Sequence, residues 1–225
     1  MADASGETII FLERDKFYLY NGGSVLSLNF PAQILPDLDV KNKDALFNLI
    51  TTFIQNNKIE PSQLFFVISE AVCFSKDFPV KDPTDVTGVQ TSSQAFIDAV
   101  PFNSVLSKIY KTQTVYRVVA TNQELVDVVV DAFVHRGFGL TAIVPANIYP
   151  EFGALRELTD KFAKHIIDTR EKAKLSSMVG EKIAPESHEL ATSVTKEPKS
   201  KLLPYLIGGF VILLVILVIV VVLRR

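Results

Sequence analysis

Leu202 to Leu223 reads LLPYLIGGFVILLVILVIVVVL, a run of 22 residues without a charge. As an α-helix it would extend about 33 Å, enough to cross a hydrocarbon core of about 30 Å. A buried element of a soluble head rarely runs so far without a polar side chain. The run is therefore expected to be a transmembrane helix, bounded by Leu202 and Leu223 and containing Pro204. Gly208 and Gly209 would let a second helix approach, but they lack the small-xxx-small spacing of a dimer seam. Both flanks are basic, with Lys196, Lys199 and Lys201 before the run and Arg224 and Arg225 after it. Flanking charge therefore decides orientation only weakly. The N-terminus, MADASGETII, has no basic n-region and no long apolar core, so no export signal is read there. A single-pass, tail-anchored chain with its head in the cytoplasm is the expectation.

Residues 180–201 are polar, include Pro185 and Pro198, and form a linker ahead of that run. As a flexible coil the linker reaches roughly 25 Å root-mean-square, which tethers a head without docking it. The remaining chain must fold as the head. Its composition is nearly neutral in charge, 23 basic against 25 acidic residues over the whole chain, which gives no pull toward nucleic acid. The single cysteine, Cys73, lies in an apolar stretch and is read as a buried structural thiol in a reducing compartment.

The head opens with TIIFLERDKFYLYNGGSVLSLNF, two strands joined at Glu13-Arg14-Asp15-Lys16 and a third from Val25 to Phe30. A proline-containing loop leads to a helix that Asn42 can cap, with Leu46, Leu49, Ile50, Phe53 and Ile54 on one face. Leu64 to Ile68 is continuously apolar, as buried strands are, and a further run spans Ala71 to Phe74. After the polar stretch VKDPTDVTGVQ a short helix is expected from Gln94 to Ala99, capped by Ser92 or Ser93. Two strands follow, Val105 to Lys111 and Val115 to Ala120. Thr121 and Glu124 read as a capping box for a helix bearing Leu125, Val128, Val129, Ala132 and Phe133. His135-Arg136-Gly137 closes it, and Leu140 to Val144 is a last strand. From Phe152 to about Met178 the spacing of Phe152, Leu155, Leu158, Phe162 and Ile166 predicts one long amphipathic helix.

Little of this carries chemistry. His135, His165 and His188 are far apart and form no ligand spacing, so no metal is expected. There is no nucleophile elbow and no Walker loop. Asp37, Asp39 and Asp44 read as loop solubility and helix-dipole complement rather than a cation site. The carboxylate pairs Asp82 with Asp85 and Asp127 with Asp131 sit among exposed polar residues or at helical spacing, and nothing in the sequence places them in a cleft. No catalytic, cofactor or metal residue is assigned, and the chain is read as a non-enzyme.

Two phrases carry a resemblance: LFFVISEAVCFSKDFP, and AVPFNSVLSKIYKTQTVYRVVATNQELVDVVVDAFVHRGFGLTAIVPAN. Pro101-Phe102 ahead of two strands, Val118-Val119-Ala120 ahead of a helix, and Gly137-Phe138-Gly139-Leu140 leading into a strand resemble the type IV pilus assembly (PilM/FtsA-like) family of actin-like proteins. The likeness spans about Thr8 to Ile148. It implies an α/β, truncated actin-like (ribonuclease H-like) first lobe over 1–91 and an inserted α-β-β-α-β subdomain over 92–150. An amphipathic helix over 151–179, the linker over 180–201 and the membrane span over 202–223 complete the chain. The family's opening hairpin holds phosphate with an Asp-x-Gly turn. Glu13-Arg14-Asp15-Lys16 has no glycine, and no room is seen for a second lobe, so no nucleotide is expected.

The resemblance implies a membrane-anchored cytoplasmic scaffold at a pilus or type II secretion inner-membrane platform, receiving a partner's peptide between lobe and insert. Which residues bind the partner is not carried over. The lipid bilayer is a second partner, and a homodimer is left open. Two alternatives stand beside this reading: an unrelated tail-anchored adaptor, and a half-site ATPase completed by another chain.

Overall fold

Thr8 to Leu12 are all buried, and only a strand covered on both faces can bury consecutive side chains in this way. The computed structural model describes residues 6–79, 86–112, 114–152 and 155–180. In it β1 (Glu7–Leu12) forms the centre of a five-stranded sheet with β2 (Lys16–Tyr20), β3 (Val25–Asn29), β4 (Gln63–Ile68) and β8 (Gly139–Pro145), ordered β3-β2-β1-β4-β8. The first three strands form an antiparallel meander, whereas β4 pairs parallel with both β1 and β8. Ile10, Leu12, Phe66 and Ile143 face one side, under α1 (Lys43–Asn56) and α3 (Gln123–Val134). Ile9, Phe11, Phe65 and Val144 face the other side, under α4 (Asp160–Lys174). Parallel pairing requires long crossovers, and α1 and α3 lie on them.

A second sheet of three antiparallel strands, ordered β5-β7-β6, consists of β5 (Phe74–Pro79), β6 (Val105–Lys111) and β7 (Val115–Asn122). α2 (Val86–Ala99) covers one of its faces through Ile97, joined by Val100 just beyond the helix, and both pack on Val105, Val118 and Ala120. Strand membership cuts across the expected inserted unit. β5 pairs with β7 rather than joining the first lobe's sheet, β8 pairs with β4, and α3 packs on α1.

Several local expectations change. α2 starts at Val86, not Gln94; the weak helix propensity of Thr87, Gly88 and Thr91 hid its first turns from a reading of the sequence. The cap of α3 is Asn122, whose Oδ1 accepts from the amides of Glu124 and Leu125. Thr121 belongs to β7, and its hydroxyl donates to the Val72 carbonyl instead of capping. The long helix from Phe152 is also shorter than expected: Thr159 caps α4 at Phe162 N, and Phe152 reaches the same core from a turn, stacked on Phe162 at 4.6 Å. Helical spacing there reflects a shared burial target, not a shared helix. The expected cap of α1 is found, with Asn42 Oδ1 accepting from Ala45 N at 2.9 Å.

Among the described residues no helix is long and apolar enough to cross a membrane. The expected span, with Leu202, Pro204, Gly208, Gly209 and Leu223, lies outside the described residues, as do Lys199, Lys201, Arg224, Arg225 and most of the linker.

Candidate functional site

β1, β4 and β8 run parallel, so their carboxyl ends meet at one edge of the sheet. Ligands of open α/β sheets bind outside that edge, where backbone groups are no longer paired within the ladder. Two depressions lie there in this chain.

One lies over the opening hairpin turn, with a volume of about 560 Å³, and is lined by Glu13, Arg14, Asp15, Lys16, Phe30, Asp37 and Arg156 among others. The turn is closed by Glu13 N–H donating to the Lys16 carbonyl. Arg14 crosses to Asp37 at 2.9 Å, and Lys41 pairs with Asp39, so these loop carboxylates serve local ion pairs. Glu13 is 5% exposed and its Oε1 has no hydrogen-bond partner among the described residues; nor does Ser69 Oγ at the end of β4. Burial pushes the Glu13 carboxyl above its ordinary range. The nearby Ser69 hydroxyl, the Arg14 amide and the Arg156 charge oppose that rise. A phosphate cradle needs bare amides converging on one point. Here four charged side chains occupy the turn, and a buried carboxylate would repel an anion.

The other depression is a groove of about 280 Å³ between the two sheets. Ile68, Glu70, Pro145, Ala146 and Asn147 come from the ends of β4 and β8 and the short turns after them; Cys73, Ser75 and Arg117 come from the second sheet and its approach. Alternation along the strands fixes this composition. Ser75, Asp77, Arg117 and Val119 share the face opposite α2, and Arg117 is the register partner of both Asp77 and Tyr110. Arg117 holds Asp77 with two bonds, Nε to Oδ1 at 2.6 Å and Nη2 to Oδ2 at 2.7 Å. That fork fixes the guanidinium at the groove wall and holds the Asp77 carboxyl below its usual range. Burial pushes the Cys73 thiol up to about 12, which leaves it a protonated wall residue rather than a nucleophile.

No group of three or more metal-ligating side chains converges among the described residues. His165 meets Glu151 at 2.9 Å and stacks near Phe152, and His135 packs edge-on to Phe47. Asp127 is partly desolvated beside Asp131, which raises its carboxyl above the ordinary range, and it is not in the groove. Sequence reading named Ile68 and Cys73 only as core residues and assigned none of the lining side chains to a groove. One signal was available: Arg117 is the only cation in VYRVVATN, on the same side of the strand as Val119 and Thr121.

The geometry defines a mixed α/β lobe carrying an antiparallel three-stranded insert, with a polar groove at their junction. No protein-family model matches the chain, and no curated protein matches it either. Solved structures that it resembles include a PilM–PilN type IV pilus biogenesis complex, at 15% identity and a TM-score of 0.44, over 63% of this chain and 48% of that chain. Another is the cytoplasmic domain of EpsL, an inner membrane component of the type II secretion system of Vibrio cholerae, at 12% identity and a TM-score of 0.37, over 63% of this chain and 57% of that domain. The chain thus spans about half the length of the proteins it matches.

Proposed function

We propose that the chain is a membrane-anchored scaffold of a type IV pilus or type II secretion inner-membrane platform, whose head receives a partner's extended peptide between its two sheets. The observation that carries this reading is the groove. It is open, narrow, walled by Pro145, Ala146 and Ser75, and charged by Glu70 and the immobilised Arg117. Short walls admit a backbone, and fixed charges select a sequence. β5 is the outer strand of its sheet, so a segment entering beside Ser75 meets a sheet edge to which it can add. The Leu202–Leu223 run supplies the anchor in this proposal, and the charged, glycine-free hairpin turn supports a head that works without nucleotide.

The test is co-purification. Tagged full-length protein is extracted from native-host membranes in mild detergent, and retained proteins are identified by mass spectrometry. Platform subunits are expected with the wild type and absent with Ser75→Trp, which fills the groove from an exposed position. Recovery of unrelated proteins alone would overturn the platform assignment. Platform subunits retained equally by Ser75→Trp would remove the groove from the reading.

A further inference from the structure

After Lys174 the chain turns around the outer edge of β8. α4 packs on one face of the five-stranded sheet, yet Met178, fully buried, packs in the core of the opposite face with Val179 beside it. Between them Leu175 to Ser177 lie against β6. Lys108 Nζ donates to the carbonyls of Leu175 at 3.3 Å and Ser177 at 2.7 Å, and Tyr110 OH donates to the Ser176 carbonyl at 2.9 Å. On the other side, Met178 N–H donates to the Ile143 carbonyl at 2.7 Å, and Ile143 N–H donates to Ser177 Oγ at 3.2 Å. Both main-chain groups of an edge residue are thus satisfied by this segment.

We propose that Leu175–Val179 is a strap that pins the second sheet to the edge of the first, so that its docking and the aperture of the groove are linked. The two anchor points make the link. Ile143 lies two residues before Pro145, which walls the groove from β8. Tyr110 is the register partner of Arg117, which walls it from β7. Release of the strap frees both walls; a ligand that changes their spacing shifts strap docking by the same free energy, since coupling is reciprocal. Lys108 and Tyr110 are the right groups for a releasable fastening. Lys108 sits on the carbonyl end of α4, where a cation is favoured, and its partners are main-chain carbonyls that water can also serve.

This proposal holds whether or not the groove takes a peptide, so it is tested without a ligand. Hydrogen exchange is followed by mass spectrometry on the full-length chain in detergent, over a series of low denaturant concentrations. In the wild type, amides of 143 and 178 are expected to open together with those of the groove segments 69–75 and 146–147, below the opening free energy of α1. The double variant Tyr110→Phe, Ser177→Ala removes two hydrogen bonds and no bulk. It is expected to speed both sets about tenfold, by roughly 1 kcal/mol or a little more, and to leave α1 unchanged. Faster strap amides with unchanged groove amides would overturn the proposal. If the double variant does not fold, separate strap and groove openings in the wild type would overturn it equally.

Discussion

Glu13 is the residue at which this head departs most from a phosphate-binding one, and it leaves a measurable signature. Its carboxyl is raised by burial from an ordinary value of 4.5, so the folded head holds a proton that the unfolded chain releases. The sign follows from linkage. The destabilisation is absent below the unfolded value, grows as pH rises toward the folded value, and is complete above it. Glu13→Gln is therefore expected to raise the Tm at pH 7 and to lose that gain as pH falls to 4.5, read by thermal melts of both proteins across the range. Asn122 shows the opposite balance. It caps α3 with its oxygen and donates through Nδ2 to the Leu38 carbonyl at 2.7 Å, in a buried site. Leu38 has a φ of 68°, so that bond also holds a left-handed backbone residue in place. Asn122→Ala is expected to cost about 2–3 kcal/mol in urea denaturation, a cap plus a buried hydrogen bond.

At the scale of elements, strands and caps that answer to local chemistry were legible in the sequence, and elements that answer to their neighbours were not. Asn42 and the stripe Leu46, Ile50, Ile54 specify α1 outright, and the apolar run of β4 predicts burial on both faces. α2 was half hidden because Gly88 and its polar neighbours are poor helix formers, and its buried positions, Ser93 and Ile97, lie in its second half. The groove was invisible because its walls come from three separated segments, 68–75, Arg117 and 145–147, that only the fold brings together. α2 also offers a test. Ser93 is buried at 1% exposure and its hydroxyl has no hydrogen-bond partner among the described residues, an uncompensated desolvation in mid-helix. Ser93→Ala removes that cost and adds helix propensity, and is expected to stabilise by about 0.5–1.5 kcal/mol in the same denaturation assay. Phe162, fully buried among Phe11, Tyr149 and Phe152, should behave conversely, with Phe162→Ala costing about 3–5 kcal/mol.

For the whole molecule, the proposed loss of nucleotide binding is a statement about linkage between ligand and fold. A ligand that binds the folded head at a concentration 100 times its Kd stabilises it by about 2.7 kcal/mol. Millimolar Mg-ATP is expected to leave the Tm of the full-length chain unchanged, and a reproducible upward shift would revive the half-site ATPase. The parallel pairing of the main sheet has a further consequence, for synthesis. Ile9 finds its neighbour Phe65 only after 56 more residues are made, and Phe66 meets Ile143 after 77 more. At about 5–20 residues per second, β1 waits roughly 3–11 s and β4 roughly 4–15 s for their partners. Both strands are apolar on two sides throughout that interval. A nascent chain stalled before Gly139 would leave the outer edge of β4 without its β8 partner, so the ribosome-bound half-product of this head is a natural client for chaperones that shield exposed strand edges.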